Sequence, residues 1–102
     1  MSDFPIYNRQ YRVTMPDGTV WDVPIWVIAN HRAAYFIGEF KTFAESLNTD
    51  TLPLFEADEF EIIDWAQNNM TWHKVQPYAI FVSGPTPVDY EKGWESGKKE
   101  IV

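Results

Sequence analysis

Apolar and polar positions alternate first at Tyr11, Val13 and Met15, separated by Arg12 and Thr14, the period of a half-buried strand. Met15-Pro16-Asp17-Gly18 follows, with proline where a type I turn fixes φ and glycine where a positive φ is cheap. A second strand over Thr19 to Val23 then completes an antiparallel hairpin between residues 10 and 24. Pro24 suits a helix start, where its missing N–H costs nothing. From Ile25 to about Phe40, Ile25, Phe36, Ala29, Phe40, Ala33, Trp26 and Ile37 fall within a single arc of ~120° on a helical wheel. Asn30, His31, Ala34, Gly38 and Lys41 lie opposite. The pattern predicts a core-packing helix with Phe36 and Phe40 inside, and a further helical turn over Thr42 to Leu47 that Asn48-Thr49-Asp50-Thr51 breaks.

Asp58-Glu59-Phe60-Glu61 has the form of a capping box, an aspartate N-cap with glutamate three residues later. The helix it opens runs to about Met70, with Ile62, Ile63, Ala66 and Met70 as its buried stripe and Glu61, Asp64 and Asn68 facing away. Thr71 caps one short turn that Pro77 ends. Tyr78 to Val82 is apolar, β-branched and aromatic, and predicts a buried strand. Gly84-Pro85-Thr86-Pro87 predicts a loop. Val88 to Lys92 and Lys99 to Val102 predict two short strands around a turn at Glu95-Ser96-Gly97. Residues 1–9 show no period and are expected to form a loosely ordered arm on a single α+β domain spanning 10–102. Its architecture is an N-terminal β-hairpin and two main helices packed on a small, mostly antiparallel sheet.

Composition changes this picture in one respect. A chain of 102 residues holds one core, and with 17% aromatic residues, five of them tryptophan, that core is built largely from rings. The absence of cysteine excludes disulfides, thiolate metal sites and a cysteine nucleophile. No apolar run is long enough to cross a bilayer, and Met-Ser-Asp-Phe-Pro has no signal-peptide character, so a cytoplasmic protein is expected.

Charge changes it more. Fifteen acids against eight bases give a net charge of −7, which opposes generic nucleic-acid or anionic-membrane binding. Between Thr42 and His73 stand Glu45, Asp50, Glu56, Asp58, Glu59, Glu61 and Asp64 without one Lys or Arg. An acidic side is therefore expected.

Candidate chemistry is sparse. His31 falls on the polar face of the first long helix, so it reads as a solvated residue with an ordinary imidazole pKa. His73, beside Trp72 in a short turn, also reads as a solvated surface residue. Neither has the i, i+4 partner of a helical zinc motif. The serines lie outside any nucleophile-elbow pattern, and the glycines form no phosphate loop. Glu61 with Asp64, and Asp58 with Glu59, could in principle form a carboxylate dyad or hold a hard cation, but helix capping and the macrodipole account for them. No catalytic, cofactor or metal residue is assigned. Trp72 and Trp94 fit no buried stripe. Trp94 could be an exposed protein-contact anchor or fold back onto the core.

Two stretches resemble a known group. One runs from Tyr11-Arg12-Val13-Thr14-Met15-Pro16-Asp17-Gly18-Thr19-Val20-Trp21-Asp22-Val23-Pro24 into Ile28-Ala29 and Arg32-Ala33-Ala34-Tyr35. The other joins Leu52-Pro53-Leu54-Phe55-Glu56 with Asp64-Trp65-Ala66-Gln67-Asn68-Asn69-Met70-Thr71-Trp72. Together they resemble small uncharacterised proteins carried by tailed bacteriophages and prophages. That resemblance implies an accessory protein made in the bacterial cytoplasm and brings no functional residue with it.

The leading expectation is a non-enzymatic, acidic protein-binding module whose partner has a basic surface. Its contact residues are Glu56, Asp58, Glu59, Glu61, Asp64, Trp65 and Trp72. The alternatives are a nucleic-acid mimic that blocks a basic DNA- or RNA-binding cleft, and an enzyme with an unrecognised site. A mimic needs its acids in a row at roughly phosphate spacing, ~7 Å within one strand.

Overall fold

A computed structural model describes residues 4–16, 18–84, 94 and 98–102. The hairpin forms as its sequence predicts. Strands β1 (Gln10–Thr14) and β2 (Val20–Pro24) pair antiparallel, with Tyr11 opposite Val23, Arg12 opposite Asp22 and Val13 opposite Trp21. Its turn closes through the Gly18 N–H, which donates to the Met15 carbonyl at 2.9 Å, and Gly18 takes φ +87°, a value that glycine tolerates best. Strands β3 (Ile80–Ser83) and β4 (Lys98–Ile101) flank the pair, giving an antiparallel sheet in the order β3-β2-β1-β4.

The period-2 alternation sends Tyr11 and Val13 to one face, where both are fully buried. Arg12 goes to the other, where its guanidinium grips both carboxylate oxygens of Asp22 at 2.8 and 3.0 Å. On the buried side, helices α1 (Ile25–Tyr35), α3 (Leu52–Ala57), α4 (Glu59–Asn69) and α5 (Trp72–Val75) contribute to one continuous core, while α2 (Phe43–Ser46) buries only Ser46, whose hydroxyl donates to the Ala33 carbonyl. The α+β class and the hairpin are as expected.

Several local expectations are corrected. Helix α1 stops at Tyr35, and the chain tightens into a 3₁₀ turn over Ile37–Glu39, which leaves Phe36 and Phe40 half-buried and Ile37 exposed. Ile25, Ala29 and Ala33 are buried as predicted, but Trp26 reaches the surface. Asn48 to Thr51 continue α2 as a wider π-type turn over Leu47–Thr51 instead of breaking it. Arg32 explains that continuity: its Nη1 donates to Asp50 and to the Thr51 hydroxyl, each at 2.9 Å, and so ties the turn to α1. Asp58 caps α4 by accepting the Phe60 N–H, but the other half of a capping box is missing, because the Asp58 N–H already donates to the Leu54 carbonyl. Thr71 sits at the N-cap of α5 without making a side-chain cap bond.

Strand β3 is not buried. It is an edge strand with Ile80, Phe81 and Val82 all exposed, and Tyr78 ahead of it is exposed as well. The residues expected in a loose arm are held from Phe4 onward. Pro5–Asn8 form a 3₁₀ turn, Ile6 is buried, and its N–H donates to Glu56 at 3.0 Å. The expected strand over 88–92 and the turn at 95–97 lie outside the described residues. Among the described residues no helix is long and apolar enough to cross a membrane.

Candidate functional site

Of the seven residues expected at a protein contact, the five acids separate into two groups. Glu56, Asp58 and Glu59 are engaged within the fold. Glu56 accepts the Ile6 N–H, Asp58 caps α4, and Glu59 lies 3.5 Å from Arg9 in an exposed ion pair worth little. Asp50, in the same base-free segment, is matched by Arg32. Bases absent from residues 42–73 in sequence thus arrive in space from β1's approach and from α1.

Glu61 and Asp64 make no ion pair among the described residues. Asp64 is exposed and accepts from Asn68 Nδ2 at 2.9 Å, while Glu61 is half-buried. With Asn68 they lie on the outward side of α4, opposite the buried Ile62 and Ala66. Phe60 lies on that side too, 64% exposed between Glu59 and Glu61 and one turn before Asp64. Sequence reasoning missed it, although its place on the wheel, one turn from Asp64, was the available signal.

The tryptophan anchors need correction. Trp72 is only 3% exposed and packs edge-on against Trp21 at a ring separation of 5.6 Å, so it is core and cannot meet a partner. Trp94 takes the second of its two readings. It is 1% exposed and its indole N–H is shared between the Ala66 and Met70 carbonyls, both at 3.0 Å. Those carbonyls belong to the unsatisfied last turn of α4 and the residue after it, so Trp94 acts as a donor cap for that helix. Trp65 is half-buried, with Tyr35 and Phe36 against its ring and the Arg32 guanidinium nearby.

Trp65 also reveals a site that the sequence reading dismissed. Its Nε1 donates to His31 Nδ1 at 3.0 Å. An indole N–H can only donate, so Nδ1 must carry a lone pair and the ring proton must sit on Nε2. His31 is therefore not the free, solvated imidazole expected from the wheel. Burial, aided by the charge of Lys74, holds its pKa below the ordinary histidine value.

This imidazole lines a cleft of about 340 Å³. Helix α1 supplies Trp26 and Asn30, then Val27 and His31, two i, i+4 pairs on adjoining rows. Met70, Lys74 and Tyr78 close it from the end of α4 and from α5 with the 3₁₀ turn Gln76–Tyr78. The Trp26 and Tyr78 rings meet edge to face, 5.5 Å apart. Tyr7 donates its hydroxyl to Asn30 Oδ1 at 3.3 Å and so orients that amide. His73, beside Lys74, is exposed and does not line the cleft. Among the described residues no group of three or more histidines or carboxylates is placed to hold a metal ion.

No protein-family model, curated protein or solved structure matches this chain, and nothing in those comparisons links it to phage proteins.

Proposed function

We propose that the protein is a non-enzymatic binding module that docks a basic protein surface through the outward side of α4, with Phe60 as the apolar anchor and Glu61 and Asp64 as its acidic flank. The single observation that carries this reading is Phe60, 64% exposed in an acidic neighbourhood. Folding does not need a large ring in water at that position, whereas a binding surface commonly sets an aromatic residue inside a polar rim. Glu61 and Asp64 would speed encounter with a positive partner, and Phe60 would hold it. Trp72 leaves the contact set, and Glu56, Asp58 and Glu59 are secondary because each already has an internal role. Mimicry of nucleic acid is less well supported, since it needs a row of uncommitted acids. A cytoplasmic location and a phage or prophage origin belong to the same proposal, the latter on the sequence resemblance alone.

The test compares partner capture by the wild type, Phe60→Ala and the double variant Glu61→Lys, Asp64→Lys, after circular dichroism has shown all three folded. Loss of the same partner in both variants supports the reading. Loss in the double variant alone, abolished equally by salt in the wild type, turns the reading toward a phosphate mimic. Unchanged capture in both refutes it.

A further inference from the structure

We propose that the cleft between α1 and α5 is a binding site for a small aromatic monoanion, such as a single-ring carboxylate. Its size suits such a ligand, since about 340 Å³ lies at the small end of ligand sites. Its walls suit the ring. Trp26 and Tyr78 meet edge to face at 5.5 Å, and both are substantially exposed, so a third ring can stack on one and meet the edge of the other. Val27 and Met70 complete an apolar floor.

Its polar groups suit the anion. Among the described lining residues Lys74 is the one charged side chain and none is an acid, although the chain as a whole carries −7. Lys74 makes no ion pair among the described residues, so its ammonium is available to a carboxylate. His31 adds a neutral donor, because the bond from Trp65 fixes the ring proton on Nε2. The Tyr7 hydroxyl occupies Asn30 Oδ1, which leaves the Asn30 amide N–H group as a further donor. One cation and neutral donors around an apolar floor match one negative charge on one flat ring. Two neighbouring positive charges would have favoured a dianion.

This site shares no residue with the α4 surface, so the two proposals stand or fall separately. The test is an NMR titration of the intact chain with benzoate, following the Trp26 indole N–H and the His31 and Tyr78 rings. Saturable shifts at all three are expected, with a Kd on the order of 1 mM, as befits an open site and a very small ligand. Benzyl alcohol, which keeps the ring and loses the charge, should bind about tenfold more weakly or worse, as should benzoate to Lys74→Met. Acetate and inorganic phosphate, which keep a charge and lose the ring, should also bind far more weakly, and benzylamine should not bind. Phenyl phosphate, largely a dianion at pH 7, should bind no better than benzoate, and clearly tighter binding of it overturns the assignment to a monoanion. Lys74 and Tyr78 are both exposed, so Lys74→Met and, as a second variant, Tyr78→Ala can be checked as folded before titration. No saturable shift up to tens of millimolar benzoate overturns the proposal. So does equal binding of benzyl alcohol, equal binding of acetate, or indifference to both variants.

Discussion

The indole N–H of Trp65 points at the Nδ1 lone pair of His31, 3.0 Å away, and so joins the middle of α4 to the middle of α1. Protonating that nitrogen would set two donors against each other and break the bond. Together with burial and the repulsion from Lys74, this keeps the folded-state pKa below the ordinary 6.5. Between 6.5 and that lower value the unfolded chain binds more protons than the folded one, so stability falls as pH falls. Above 6.5 both states are neutral at this residue and the slope vanishes. An NMR titration of the His31 ring should show the depressed pKa, with the Trp65 indole signal moving at the same midpoint. Added salt should raise it part of the way back by screening Lys74. A His31 pKa at or above 6.5 would contradict the hydrogen bond.

Tyr11 offers a substitution that should not hurt. Its hydroxyl is buried with no hydrogen-bond partner among the described residues, and its ring packs edge-on against Trp94 at 5.3 Å. Burial pushes the phenol pKa well above its usual range. Tyr11→Phe keeps the ring and removes the orphaned group, so urea denaturation should show a stability unchanged or raised by about 1 kcal/mol. A loss of more than that would reveal a partner for the hydroxyl.

Phe55 and Phe36 should differ sharply when truncated. Phe55 is fully buried and Phe36 only half so. Phe55→Ala should cost about 3–5 kcal/mol, a large share of the stability of a domain this size. Phe36→Ala should cost clearly less, mostly through lost contact with Trp65 and with Arg32, whose guanidinium lies 4.7 Å from the ring centre. Parallel denaturant melts would settle the order.

Trp94 should be sensitive in two separable ways. Trp94→Phe keeps a buried ring but leaves the Ala66 and Met70 carbonyls without their donor, a loss of about 1–3 kcal/mol. Trp94→Ala adds a cavity beside Tyr11 and Trp72 and should cost about 3–5 kcal/mol. Hydrogen exchange should report earlier opening at the C-terminal end of α4 in both variants.

What could be read from the chain was what neighbouring residues decide between themselves. Met15 to Gly18 carry their own turn chemistry, and Asp58 caps α4 through a bond to a residue two positions away. The stop at Tyr35 could not be read, because Phe36, Ile37 and Phe40 extend the apolar wheel although the backbone tightens there. The fate of Trp72 and Trp94 depends on partners such as Trp21, Ala66 and Tyr11, and no local period encodes them. Exposure of β3 is a matter of strand order, which an apolar run does not specify. The acidic segment was legible as a charge count, but Arg9 and Arg32 reach it only through the fold. The cleft was half legible: Trp26 with Asn30 and Val27 with His31 stand one turn apart on α1, but Met70, Lys74 and Tyr78 come from a distant stretch.

The two margins of the sheet are chemically unlike, and that sets a limit on how copies of the chain can stack. Among the described residues, one margin is β4, with Lys98, Lys99 and Glu100, and the other is β3, with Ile80, Phe81 and Val82. Charged side chains along an outer strand discourage a further strand from pairing there, whereas a bare apolar one invites it. At high concentration, two copies could join margin to margin through β3. Each would then present only its charged margin outward, and addition would stop. A sheet with one receptive side ends in pairs; a fibre needs two.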